Sequence, residues 1–212
     1  DANGIVTSNR YDGAGRLLAS WRGGLLVSSN AYNAVGWVVS STDASGLVTT
    51  NTYDSAGRPL RTYVPDGSYF ENIYSNTFLI KRIDRAGRMT TYQRDLIGRV
   101  TNEIDHAGHS IRYRYDGGGN LTDLFDQNNV QTRFLYDQEG RQIGKVYADG
   151  VTNRYTYDAL GRLTNKVDGK SIATGYRYDS VGNLTRIDFA TDTDVTFAYD
   201  ALNRRVQMTD GV

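Results

Sequence analysis

The side chains able to do chemistry are few. Across 212 residues there are two histidines and no cysteine. His106 and His109 follow Asp105 in an Asp-His-x-x-His run, whose imidazoles and carboxylate are metal-ligand types. Asp188, Asp192 and Asp194 form a loose acidic group, the donor set calcium takes, but without the glycine and closing glutamate of a helix-loop-helix calcium site. Paired carboxylates for glycoside hydrolysis could be drawn from 21 Asp. The lack of cysteine removes thiol nucleophiles, disulfide scaffolds and Cys-based zinc sites. No G-x-S-x-G elbow, phosphate loop or dinucleotide fingerprint is present. Asn120-Leu-Thr122 and Asn183-Leu-Thr185 match the glycosylation sequon. The net charge of zero argues against a general nucleic-acid binder, and no run of 18 apolar residues suggests membrane insertion.

The spacing of the aspartates gives them another use. Tyr-Asp occurs at Tyr11-Asp12, Tyr53-Asp54, Tyr115-Asp116, Tyr136-Asp137, Tyr157-Asp158, Tyr178-Asp179 and Tyr199-Asp200. Tyr32-Asn33, Tyr74-Ser75 and Arg94-Asp95 fill the gaps. Every step is 21 residues except the 20 from Tyr74 to Arg94, which makes about ten units. Three residues after the Asp slot stands Gly15, Gly36, Gly57, Gly98, Gly119, Gly140, Gly161 or Gly182, with Phe78 and Asn203 as exceptions. Asp, Asn and Ser bond their own backbone two residues on, and Gly or Asn tolerates positive φ. Tyr-Asp-x-x-Gly-Arg-Leu is therefore expected to be a tight turn, its Asp a turn former rather than a catalytic acid. Gly161→Val is expected to disrupt its hairpin. Arg after Gly, as in Arg16, Arg58, Arg141 and Arg162, could pair with turn carboxylates or stack on Tyr.

A second turn is expected half a period later, at Asp1-Ala-Asn-Gly4, Asp43-Ala-Ser-Gly46, Asp66-Gly67, Asp84-Arg-Ala-Gly87, Asp105-His-Ala-Gly108, Asp149-Gly150 and Asp168-Gly169. Two turns per unit leave two strands of about seven residues, each about 23 Å long. Composition agrees, with 23 Gly, 16 Tyr, 3 Glu and 4 Lys: the residues of strands and turns rather than of helices. The fold class is all-β, tandem antiparallel hairpins with about 20 strands. The chain is long enough for one or two domains and a real core. So wide a sheet must coil into a spiral β-shell, barrel or tube.

Alternation places one residue type two positions before the Tyr slot. It is Asn9, Asn30, Asn51 and Asn72, then Tyr92, Tyr113, Phe134, Tyr155, Tyr176 and Phe197. In register these form an Asn column followed by an aromatic column. The aromatics are expected to stack within the fold, and are also a candidate stripe for binding carbohydrate or a cargo chain.

The Tyr-Asp-x-x-Gly-Arg-Leu-Thr runs, best in Tyr157-Asp-Ala-Leu-Gly161-Arg-Leu-Thr164, resemble the Tyr-Asp (YD) repeat family, also called RHS repeats. Its members include Rhs toxins, the B and C components of insecticidal toxin complexes, wall-associated bacterial proteins and teneurins. The resemblance covers essentially the whole chain. It implies a β-shell around a hollow interior, enclosing a C-terminal toxin in toxin members. The core segment with an Asp-Pro-x-Gly-Leu type signature is missing; the only prolines are Pro59 and Pro65. Neither self-cleavage nor toxicity is carried to any residue here.

The chain opens and closes at a turn, Asp1-Ala-Asn-Gly4 and Asp210-Gly211-Val212, without a capping unit. Naked edge strands invite pairing. The expectation is a single array, cut from a longer secreted or cell-surface protein of bacterial type, or units assembling end to end as a tube or filament. Its role is that of a non-catalytic scaffold without cofactor. Adjacent repeats are its partners through open edges, and an enclosed toxin domain or a carbohydrate would be its ligand. The alternative is a surface recognition module.

Overall fold

The computed structural model describes residues 4–210. The expected turns that include Asp1, Ala2, Asn3, Gly211 and Val212 lie partly outside the described residues. The chain divides into two compact units, Asp1–His109 and Ser110–Val212.

The first unit holds ten strands: β1 (Thr7–Tyr11), β2 (Leu17–Arg22), β3 (Leu25–Tyr32), β4 (Val38–Asp43), β5 (Val48–Tyr53), β6 (Pro59–Tyr63), β7 (Tyr69–Ser75), β8 (Phe78–Ile83), β9 (Met89–Arg94) and β10 (Val100–Ile104). The second unit holds β11 (Ser110–Tyr115), β12 (Leu121–Phe125), β13 (Gln131–Tyr136), β14 (Gln142–Val146), β15 (Thr152–Tyr157), β16 (Leu163–Val167), β17 (Ala173–Tyr178), β18 (Leu184–Phe189), β19 (Val195–Tyr199) and β20 (Arg205–Asp210). Within each unit every strand pairs antiparallel with the next in the chain. The protein is all-β, as expected.

Turns after odd strands follow one plan. In the turn after β15, Asp158 N–H donates to Arg162 O at 2.9 Å and Gly161 N–H donates to Asp158 O at 3.0 Å. Gly161 sits at φ 78°, which an L side chain resists. Thr156 then faces Asn165 while Tyr157 faces Leu163, so one residue of β16 bulges out. A bulge at this rim recurs in every hairpin of the second unit that ends in a Tyr slot, from β11–β12 to β19–β20. Bulges sharpen strand twist, so each repeat adds its increment at the same rim.

Turns after β4, β6, β8, β12, β14 and β16 use the same hydrogen bonds without the bulge, whereas β2 and β3 are joined tightly through Gly23 and Gly24 with a register shift at Ser20 and Trp21. Asp43 and Gly46 bond as Asp158 and Gly161 do. Three details differ from the sequence reading. Asp126 opens a turn that carries no glycine; Asn129, at φ 62°, takes its place. In the turn from Asp168 the positive-φ residue is Ser171, at 64°, not Gly169. Asp66 and Asp149 stand third in their turns, which open at Val64 and Tyr147.

The 20-residue step also has a local cause. β7 and β8 are joined by Asn76 and Thr77 alone, with Ser75 facing Phe78 and Tyr74 facing Leu79. Other hairpins set five residues between such partners, as between Tyr53 and Pro59, against four between Tyr74 and Leu79. Positive φ falls on Asn76, at 51°, and Phe78 is a strand residue rather than a stand-in for glycine.

The expected core is absent. Ala19, 2% exposed, is the one buried hydrophobic residue among those described, and Gly144 is the other buried position. Within each unit the described side chains are covered only by neighbours of the same sheet, and most are half-buried or exposed. Stability must come from neighbour-to-neighbour contacts along the array, as in other linear repeats.

Candidate functional site

Each turn Asp is held by its own hairpin. Asp158 Oδ1 accepts from Leu160 N–H at 2.9 Å and Arg162 N–H at 3.0 Å; Asp158 Oδ2 accepts from Arg162 Nε at 2.7 Å. Asp12, Asp54, Asp137 and Asp200 repeat this with Arg16, Arg58, Arg141 and Arg204. Asp116 and Asp179 use Asn120 and Asn183 instead. The backbone N–H of the residue four positions on is the main cause holding Asp12, Asp54, Asp158 and Asp200 below the usual carboxylate range. At Asp116 the side-chain amide of Asn120 leads.

The tyrosines connect one repeat to the one before. Tyr32 Oη donates to Leu17 O, Tyr53 to Val38 O, Tyr74 to Pro59 O, Tyr136 to Leu121 O, Tyr157 to Gln142 O, Tyr178 to Leu163 O and Tyr199 to Leu184 O. All seven bonds measure 2.8–3.2 Å and span 15 residues. The accepting carbonyl lies at the start of an even strand, beside the bulge. Burial raises the hydroxyls of Tyr136 and Tyr178 above their ordinary pKa. Tyr11 has no earlier described strand to reach and is 54% exposed. In the first unit the Asn column joins in: Asn30, Asn51 and Asn72 donate to the same carbonyls as Tyr32, Tyr53 and Tyr74.

The residue after Gly closes the clamp from the other side. Arg16 lies over the Tyr32 ring at 4.8 Å, Arg58 over Tyr74 at 4.4 Å, Arg141 over Tyr157 at 5.1 Å and Arg162 over Tyr178 at 4.8 Å. Arg141 and Arg162 also reach Asp158 O and Asp179 O in the next turn. Arg therefore does both things considered for it: it pairs with its own Asp and stacks on the next Tyr. Trp37 replaces Arg at one junction, its ring 5.4 Å from Tyr53. At another the pair is reversed. Arg94 occupies the Tyr slot and Phe78 the Arg slot; Arg94 lies over Phe78 at 5.6 Å and Nε donates to Leu79 O at 3.1 Å. Exchange of the two partners preserves both the cation–ring contact and the bond to the carbonyl. Sequence reasoning anticipated the Arg–Tyr contact but missed the hydroxyl bond to the carbonyl 15 residues back, whose signal was the 21-residue period of Tyr.

Tyr157→Phe removes only the hydroxyl. It is expected to lower unfolding free energy by about 1 kcal/mol, leaving the Arg141 contact and the circular dichroism spectrum intact. Urea titration checks this; an unchanged midpoint would mean that the bond to Gln142 carries no weight.

The candidate stripe is not a ring-on-ring column. Phe134 faces Lys145, Tyr155 faces Lys166, Tyr176 faces Ile187 and Phe197 faces Met208 across their hairpins. Tyr92 and Tyr113 likewise face Glu103 and Leu124. Among the described residues no ring pair joins Phe134, Tyr155, Tyr176 and Phe197. Equivalent positions lie two strands apart, about 10 Å, beyond the reach of aromatic pairing. All six rings are half-buried.

The remaining candidates are engaged elsewhere. His109 Nδ1 meets Asp105 Oδ2 at 3.0 Å, in the place Arg88 takes beside Asp84, while His106 sits at the turn tip. Asp188 is held by Arg177 at 2.7 Å and Arg186 at 2.5 Å; Asp194 pairs with Arg186 and accepts from Phe189 N–H at 3.0 Å. Two guanidiniums beside these carboxylates oppose calcium there. Among the described residues no group of three His, Asp or Glu is placed to hold a metal ion. The sequon amides of Asn120 and Asn183 donate to Asp116 and Asp179.

Comparison with known proteins gives the same architecture. The crystal structure of TcdB2-TccC3-TEV has a TM-score of 0.60 at 16% identity, over 97% of this chain and 14% of that one. That of TcdB2-TccC3 gives 0.59 at 16% identity, over 98% and 14%. The Photorhabdus luminescens Tc holotoxin pore gives 0.50 at 15% identity, over 97% and 15%. The chain thus spans about one seventh of the length of these structures, and at such identity the likeness is one of fold. No curated protein matches the chain. The RHS repeat matches residues 32–69, and the teneurin YD-shell matches residues 71–212. Carrying the turn, the bulge and the clamp on that stretch, the chain belongs to the teneurin YD-shell family of YD/RHS repeat proteins.

Proposed function

We propose that the chain is a non-catalytic wall segment of a hollow β-shell, one array of about ten units within a longer array. In this reading it encloses or displays other domains of a secreted or cell-surface protein of bacterial type. One observation carries the reading. The recurrent groups with chemical potential, the Asp carboxylate, the Tyr hydroxyl and the Arg guanidinium, are bound to their own hairpin or to a neighbouring repeat. A surface so engaged holds a wall together and leaves little for turnover. Membership of the YD-shell family supports it, as does the fold shared with TcdB2-TccC3, which is also known in a form without a hypervariable C-terminal region. Such a region is the kind of cargo the wall would enclose, with adjacent repeats continuing the sheet at its open edges.

Electron microscopy of the full-length protein tests this. A hollow particle with a wall one sheet thick is the expected image. A solid globule or an extended string would overturn the proposal.

A further inference from the structure

In the second unit three consecutive turns at one rim, beyond the turn that carries Glu139, differ from those at the other rim in the residue at their third position. After β15, β17 and β19 that position holds Leu160, Val181 and Leu202, which are 75%, 69% and 71% exposed. Their N–H groups donate to Asp158, Asp179 and Asp200 at 2.9, 3.1 and 2.9 Å. After β12 and β16, at the opposite rim, the position holds Asn128 and Lys170, donating to Asp126 and Asp168 at 2.9 Å. The turn therefore accepts a polar residue, which is also the usual choice at a turn tip. A large aliphatic side chain so exposed contributes little to its own hairpin. Three in succession at one rim form a ridge rather than scattered apolar exposure.

We propose that this ridge is a contact surface between two copies of the chain, the tips of one copy seated between those of the other. Successive tips lie two strands apart, about 10 Å. A second copy is a partner whose period is bound to match. The tips are also free of charge: Ala159-Leu160, Ser180-Val181 and Ala201-Leu202. At their bases Asp158 and Asp200 are paired with Arg162 and Arg204 at 2.7 Å, and Asp179 with Asn183 at 2.9 Å. Identical copies thus approach without like-charge repulsion. Three tips bury less than a standard interface, so the association is weak, with a Kd on the order of micromolar.

Sedimentation equilibrium of the chain across the micromolar range tests the ridge. The wild type is expected to dimerise, and the Leu160→Ser/Val181→Ser/Leu202→Ser variant to do so at least about tenfold more weakly. Asn128→Ala/Lys170→Ala, at the other rim, is expected to match wild type. These side chains are solvent-exposed, and an unchanged urea midpoint verifies that each variant folds. Because the chain lacks cysteine, Val181→Cys with a bifunctional maleimide should yield cross-linked dimers, and Lys170→Cys should not. A wild type that stays monomeric overturns the proposal. So does a ridge variant that associates as well as wild type, the result expected if open strand edges make the contact.

Discussion

Gly57→Ala is expected to lower unfolding free energy by about 3 kcal/mol, roughly twice the loss from Gly161→Ala. Both glycines sit at positive φ, 82° and 78°, where an L residue costs about 1–2 kcal/mol. They differ in what the preceding repeat lays against them. A Cβ on Gly57 would stand 2.8 Å from the Trp37 ring, whereas on Gly161 the nearest atom is Arg141 Nη1 at 3.9 Å. Trp37 cannot withdraw without loosening its contact with Tyr53. In a Trp37→Arg background the excess should disappear, since a guanidinium stem yields where an indole does not. Urea denaturation of the two parents and of each glycine variant in both backgrounds reads this directly; equal costs at both glycines in the wild-type background would sink the argument. Glycine in this slot thus has two causes, positive φ and the side chain of the previous repeat.

The second large effect is acid sensitivity. Asp12, Asp54, Asp158 and Asp200 are held below the ordinary carboxylate pKa, chiefly by the backbone N–H four residues on. Asp84 is held there chiefly by the Arg88 side chain. A carboxylate with its folded pKa depressed contributes stability that is fully present above the unfolded value, about 3.9. That contribution disappears as pH falls through the folded value. One such carboxylate matters little, but this one recurs in nearly every hairpin, and the described residues bury almost no core to outweigh it. The urea midpoint is expected to stay flat from about pH 7 to 5 and to drop steeply below about pH 4. The drop should persist in about 0.5 M salt, because short hydrogen bonds to backbone amides are screened less than exposed ion pairs. A midpoint at pH 3 equal to that at pH 7 would refute this account.

The turns and strands were legible in the sequence because they rest on local chemistry. Asp binds its own backbone two and four residues on, Gly or Asn takes positive φ, and alternation marks strand faces. Where local chemistry was ambiguous, the sequence misled. Gly169 drew attention away from Ser171, and Asp126 went unnoticed as a turn former because Asn129 replaced the marker glycine. Phe78 was read as standing in a glycine slot because counting cannot see a two-residue connection.

By itself, the sequence determined the period, the hairpin, the all-β class and the use of the recurrent Asp. These depend on contacts within a few residues, which spacing and residue type specify. Tertiary structure decided why the Tyr recurs, since its hydroxyl finds a carbonyl 15 residues back only once two hairpins lie side by side. It decided that the aromatic stripe is interleaved rather than stacked, because strand spacing keeps equivalent rings apart. It also decided that almost no core is buried among the described residues, because burial depends on a second layer that no single strand's pattern reveals.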